Sequence, residues 1–138
     1  GAFINAVINF VIIGFVVWSV LWMGSDQVLI MLSPGWYGAH QYSFQMAFED
    51  GSPFAADSMI LLIGIVRAVI ISLMAGFLAA SVAGENRRSP LCLGLLLLLA
   101  GILVQGYTWN YMPIWYHAIF LVLLVPVTVI GGRLRPSS

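Results

Sequence analysis

Arg67 stands alone in a long apolar stretch that runs from Ser58 to about Ala83. If that stretch is a membrane helix, Arg67 lies roughly 14 Å into a hydrocarbon core about 30 Å thick. An arginine at such depth is unfavourable by about 3 kcal/mol or more. It must therefore face a bundle interior or a polar cavity, with its side chain leaning toward the helix N-terminus. No carboxylate falls within the apolar runs as they read in the sequence. The expected partners are Gln105, Ser19, backbone carbonyls, or acids of the segment 24–57 should that segment dip inward. Two readings follow: a structural tie between helices, or a site that holds an anionic or carbonyl-bearing ligand.

His117 and Gln105 each lie about one turn inside the same end of their apolar runs, and Trp18 falls near the same layer. With Arg67 reaching toward them, these four residues could line a polar pocket. A neutral imidazole can ligate a metal or pigment, or exchange a proton. The plainer reading is an interfacial histidine hydrogen-bonded to a neighbouring helix. A single five-coordinate pigment on His117 is physically possible. A bis-histidine haem would have to use His40, the only other histidine, and structural zinc would need several converging ligands. Lipid or quinone are the remaining ligand classes. Cys92 is the only cysteine and sits in a leucine run, where it reads as a small apolar residue.

The elements that must position these groups are set by composition. The 138 residues are 62% hydrophobic and 7% charged, with a mean hydropathy of +1.04. A water-soluble domain would carry about a quarter charged residues, so the chain belongs in a bilayer. Net charge is zero and lysine is absent, which removes the basis for nucleic-acid binding or a polybasic membrane anchor. The start at Gly1 fits processing or a chain from an isolated complex. It lacks the basic region of a signal peptide.

Four apolar runs predict an all-α integral membrane bundle with spans at about 2–23, 58–83, 90–108 and 113–131. Asn5 and Asn9 sit near the start of the first. Asp57 reads as an N-cap for the second span, and Ser89 with Pro90 as cap and first turn of the third. Gly131-Gly132 reads as a stop for the fourth. Pro126 predicts a kink there, with Thr128 available to the freed carbonyl. The connections 84–89 and 109–112 are tight, making the last three spans antiparallel neighbours. In the long connection 24–57, Phe44, Ala47 and Phe48 recur at helical spacing over Gln41–Glu49, predicting an amphipathic segment in the outer interface, a potential lid.

Orientation follows from charge. Arg87 and Arg88 lie between the second and third spans, and Arg133 and Arg135 follow the fourth, while the 24–57 connection carries Asp26, Glu49, Asp50 and Asp57 and no basic residue. The positive-inside rule then places both termini in the cytoplasm and the acidic connection outside. The aromatics Trp18, Trp22, Trp36, Tyr37, Tyr42, Tyr107, Trp109, Tyr111, Trp115 and Tyr116 gather toward the opposite end from these arginines. One belt where two are usual suggests an outer face that packs on a partner, a lipid or a cofactor. Trp36, Tyr37, Tyr42, Trp109 and Trp115 are the candidate partner contacts. Gly64, Ala68, Ser72, Gly76 and Ala80 recur every four residues, a stripe that allows close helix approach.

The segment Trp109-Asn110-Tyr111-Met112-Pro113-Ile114-Trp115-Tyr116-His117, with Pro126 and Gly131-Gly132-Arg133-Leu134, resembles a group of small bacterial inner-membrane proteins. The likeness extends through the Arg67 helix, about two-thirds of the chain. It implies four spans in a bacterial plasma membrane and transfers no activity. Three function classes remain. An accessory subunit of a larger respiratory or photosynthetic membrane complex, contacting lipids and other subunits, accounts for the missing catalytic groups. A stand-alone binding or transport protein would use an Arg67–His117 pocket. A lipid or quinone enzyme would lean on His117 as acid or base, without paired carboxylates, an activated nucleophile or a metal cluster beside it.

Overall fold

The computed structural model describes residues 1–136, the side chains of residues 3, 6 and 7 excepted. The described chain is helical: α1 (Ala2–Leu32), a single π-helical turn (Pro34–Gly38), α2 (Ala39–Asp50), α3 (Ser58–Ala83), α4 (Arg88–Tyr107), a 3₁₀ turn (Trp109–Tyr111) and α5 (Ile114–Arg133). Four of these helices are long and apolar enough to cross a membrane: Ile8–Leu32 within α1, then α3, α4 and α5. The links after α1 and between α4 and α5 lie at one end of the bundle, here the cap end. The 84–87 turn and Arg135 meet at the other, where the Asn86 amide donates to the Arg135 carbonyl.

The centre of the bundle is the α3–α5 seam. Lipid tails are as apolar as leucine, so helices in a bilayer associate through van der Waals fit and hydrogen bonds. The fit here comes from missing side chains. A Cβ on Gly76 would lie 2.1 Å from the Thr128 carbonyl oxygen, and one on Gly131 would lie 2.2 Å from that of Leu73. Gly132 leaves room for Pro90 of α4, and Gly94 for Val125. Ala68, Ala75, Ala79 and Ala80 are buried along the same helix. The every-fourth-residue stripe of α3 is thus spent inside the chain. Gly76 faces α5, Gly64 faces Tyr116 and Trp22, and Ser72 accepts a hydrogen bond from the Trp18 indole of α1.

Several boundaries differ from the sequence reading. The first helix does not stop at residue 23; it continues to Leu32, because Ser25 and Asp26 are engaged by α3. Gly131 and Gly132 lie inside α5, where the small side chain serves packing and not termination. Ser89 is not the cap of α4. Glu85 takes that role, its carboxylate accepting from the N–H groups of Arg87, Arg88 and Ser89 and from the Ser89 hydroxyl. The Asp57 cap is as expected, accepting from Met59 and Ile60. α5 runs through Pro126. Thr128 does not relieve the freed carbonyl, since its buried hydroxyl has no partner among the described residues.

Partial burial raises the Glu85 pKa, but the Ser89 hydroxyl and the three N–H groups outweigh it and bring the carboxyl down to about 2. A depressed folded pKa means that the stabilising contribution is present above the unfolded value near 4.5 and is lost as pH falls toward 2. Thermal melts in detergent between pH 6 and pH 2 should show an acid limb that Glu85→Gln flattens. Gly76→Ala should destabilise the bundle by about 2 kcal/mol through overpacking. Gly24→Ala, where a Cβ meets nothing within 4 Å, should leave stability unchanged or raise it by up to about 1 kcal/mol.

Candidate binding site beneath the cap

Arg67 projects toward the cap end and is held on four sides. Its Nε donates to Ser25 Oγ at 2.9 Å and its Nη1 to the Tyr37 hydroxyl at 2.9 Å. Nη2 donates to the Trp22 carbonyl, and the guanidinium carbon lies 4.1 Å from the centroid of the Trp22 ring. Asp26 stands 3.7 Å from Nη1. The expected backbone carbonyl is confirmed; Ser19 is not a partner, since it bonds back to Phe15. The carboxylate corrects the sequence reading. Asp26 belongs to the membrane-spanning part of α1 and not to a loop, so a span does contain an acid, and it faces the arginine.

Trp22, Ser25 and Asp26 share one face of α1 through the three- and four-residue spacing of a helix. That spacing was the available signal, hidden by ending the first span at residue 23. From Asp26 the polar contacts continue into the cap. The Tyr37 hydroxyl donates to Asp26 at 2.6 Å and the Gln41 amide at 2.8 Å. His40 donates from Nδ1 to Gln41 and accepts the Asp57 N–H on Nε2 at 3.1 Å. Trp36 closes the chain by donating its indole N–H to Asp57 at 2.9 Å. That bond, with the N–H groups of Ile60 and Met59, holds the Asp57 carboxyl below the usual carboxylate range. Burial and the Asp26 bond raise the Tyr37 pKa, keeping its proton available to the carboxylate. α2 is seated by rings: Phe44 packs on Phe54 and Tyr111, and Phe48 on Tyr111.

His117 is fully buried. Its Nδ1 meets the Gln105 side-chain amide, its Nε2 lies 3.1 Å from the Trp109 carbonyl oxygen, and the Trp109 ring stacks on it at 4.4 Å. In the neutral imidazole Nε2–H donates to Trp109, leaving Nδ1 to accept from the Gln105 amide nitrogen, an assignment reached by a half-turn of that amide. Both nitrogens are occupied, so pigment ligation would first have to break one of these bonds. The histidine ties α4 to α5.

Beneath α2 lies a cavity of about 170 Å³ whose wall includes Trp22, Tyr37, Arg67, Gln105 and Tyr116. Of the four residues expected to share a pocket, Arg67 and Gln105 line this one, Trp18 shares a second cavity with Gln105, and His117 sits behind Gln105. Trp18 is pinned deeper, at Ser72, stacked on Trp22 at 5.4 Å, and that second cavity is apolar, about 200 Å³. Tyr116 was not anticipated. Among the candidate contact residues Trp36, Tyr42, Trp109 and Trp115 are exposed, whereas Tyr37 is 2% exposed and belongs to the interior. Its position within the π-helical turn points it at Asp26 and Arg67. Among the described residues no group of three or more His, Cys, Asp or Glu could hold a metal ion.

Comparison with family models, curated proteins and solved structures finds no match for this chain.

Removing one member of the ion pair leaves the other buried without compensation. Arg67→Leu and Asp26→Asn should each lower stability by about 3 kcal/mol. The double variant Arg67→Leu/Asp26→Asn should recover part of that loss, measured as a double-mutant cycle of thermal or denaturant unfolding in detergent.

Proposed function

We propose that this chain is a non-catalytic, multi-pass subunit of a larger assembly in a bacterial plasma membrane, respiratory or photosynthetic in kind. The observation that carries this reading is the use to which the bundle's polar groups are put. Arg67 and Asp26 hold α1 and the cap to α3. His117 and Gln105 hold α4 to α5. Neither set is arranged as a nucleophile with a base or as an acid–base pair facing open space, the arrangement expected of an enzyme centre. The chain's polar interior serves to make a rigid body with a shaped end.

That end is the cap, and it is the surface proposed to meet a partner. Trp36, Tyr42, Trp109 and Trp115 are exposed there, Tyr42 at 63%. Exposed tryptophan and tyrosine supply the anchors typical of protein contacts. The arginine distribution supports a cytoplasmic location for both termini and an outward-facing cap. The likeness to small bacterial inner-membrane proteins supports the choice of membrane.

Purification from native membranes in mild detergent should retain partner subunits in fixed ratio, and the Tyr42→Ala/Trp115→Ala variant, at two exposed aromatics with no internal hydrogen bond among the described residues, should lose them while the bundle itself melts as before. A particle that runs alone from native membranes, unchanged by the double substitution, would overturn the subunit reading. The capped cavity favours a second reading, ligand binding, and it holds whether or not a partner is present.

A further inference from the structure

The two cavities share walls. Trp22, Val104 and Gln105 line both. The chamber under the cap has polar and aromatic walls. The one below it, bounded by Phe15, Trp18, Leu97 and Phe120, lies toward the middle of the bilayer between α1, α4 and α5. Val104, on the shared wall, is exposed on the bundle surface, so the junction opens toward lipid.

Two polar side chains in the upper chamber have hydrogen-bonding capacity to spare. Tyr116 is 5% exposed and Gln105 is 7% exposed. Among the described residues the Tyr116 hydroxyl has no hydrogen-bond partner, and the Gln105 amide has only His117. The Tyr116 hydroxyl opens onto the chamber, unlike the fully enclosed Thr128 hydroxyl, so a ligand there can satisfy it as buried polar groups usually are. Tyr116 is a ready donor, and the free edge of the Gln105 amide both donates and accepts. The charge balance selects the ligand type. Asp26 already offsets Arg67, so an anion would gain little there, while a neutral carbonyl suits the hydroxyl and the amide.

We infer that the stacked chambers form one head-and-tail site for a quinone. The carbonyl-bearing ring lies under the cap against Trp22, with its oxygens on Tyr116 and Gln105, and a single apolar tail runs down the α1–α4 seam. The aromatic walls favour a flat head over a glycerolipid headgroup, and a lower chamber of about 200 Å³ suits one chain better than two.

Trp18 and Trp22 line the site, so a bound quinone quenches their fluorescence. Titrating the purified full chain in detergent with a benzoquinone carrying a decyl chain should give saturable quenching. Tyr116→Phe should raise the half-saturating concentration about fivefold, the loss of one neutral hydrogen bond, with no fall in melting temperature because that hydroxyl has no internal partner. Should the variant fail to fold, Ala100→Phe, which fills the lower chamber, should abolish the saturable component instead. Quenching that rises without saturation, or a half-saturating concentration unmoved by the folded Tyr116→Phe variant, overturns the assignment. So does saturable quenching by a phosphatidylglycerol with brominated chains that the quinone cannot displace, which would identify a diacyl lipid as the occupant. The outcome is independent of whether partner subunits co-purify.

Discussion

A guanidinium placed part-way through a bilayer cannot be left to lipid, and the cap end of this bundle is organised around that constraint. Arg67 recruits the Trp22 carbonyl and ring, Ser25 and the Asp26 carboxylate from α1, and the Tyr37 hydroxyl from the turn that follows. Each of these contacts is long-range in sequence. Together they decide how far α1 runs, where its register lies against α3, and how the chain returns over the top of the bundle. Asp26 in turn collects Tyr37 and Gln41, so the pairing of one arginine propagates through the cap as far as the N-cap of α3.

The other half of the bundle obeys a different rule. Between α3, α4 and α5 the polar tie is that of His117 to Gln105 and Trp109, and elsewhere close approach of backbones joins the helices. Gly76, Gly131 and Gly132 let carbonyls and a proline ring come to distances that any side chain would forbid, and Gly94 brings Val125 into tight contact. α1 joins this core by fewer contacts: Gly14 against Leu93, the Trp18–Ser72 hydrogen bond, and the Arg67 cluster. The two cavities lie alongside that less tightly fitted helix. A bundle with one well-packed trio and one helix held by polar clasps leaves space where a ligand head and tail can enter.

The four apolar runs, the Asp57 cap and the helical character of the Gln41–Glu49 stretch were all legible in the sequence, because hydrophobic length, capping residues and helical periodicity are local properties. The errors share one cause. Gly24-Ser25-Asp26-Gln27 looks like the end of a span when hydropathy is read along the chain. In the fold it is mid-helix, since Ser25 and Asp26 face an arginine that lies some forty residues later. Gly131-Gly132 carries the usual signature of a helix stop, yet Leu73 and Pro90 turn it into a packing surface. Tyr37 looked like one more interfacial aromatic and became interior through the π-helical turn that contains it.

What the sequence by itself determined is that the chain is apolar enough for a bilayer, divides into four spanning helices, and contains an arginine and a histidine that must find partners. Only the tertiary structure decided who those partners are. It assigned Asp26 to Arg67, Gln105 and Trp109 to His117, and left Tyr116 unpaired in a cavity. Hydropathy sums over neighbours along the chain. The neutralisation of a buried charge and the satisfaction of a buried hydroxyl depend on groups brought together from distant segments, and no local property of the sequence encodes that distance.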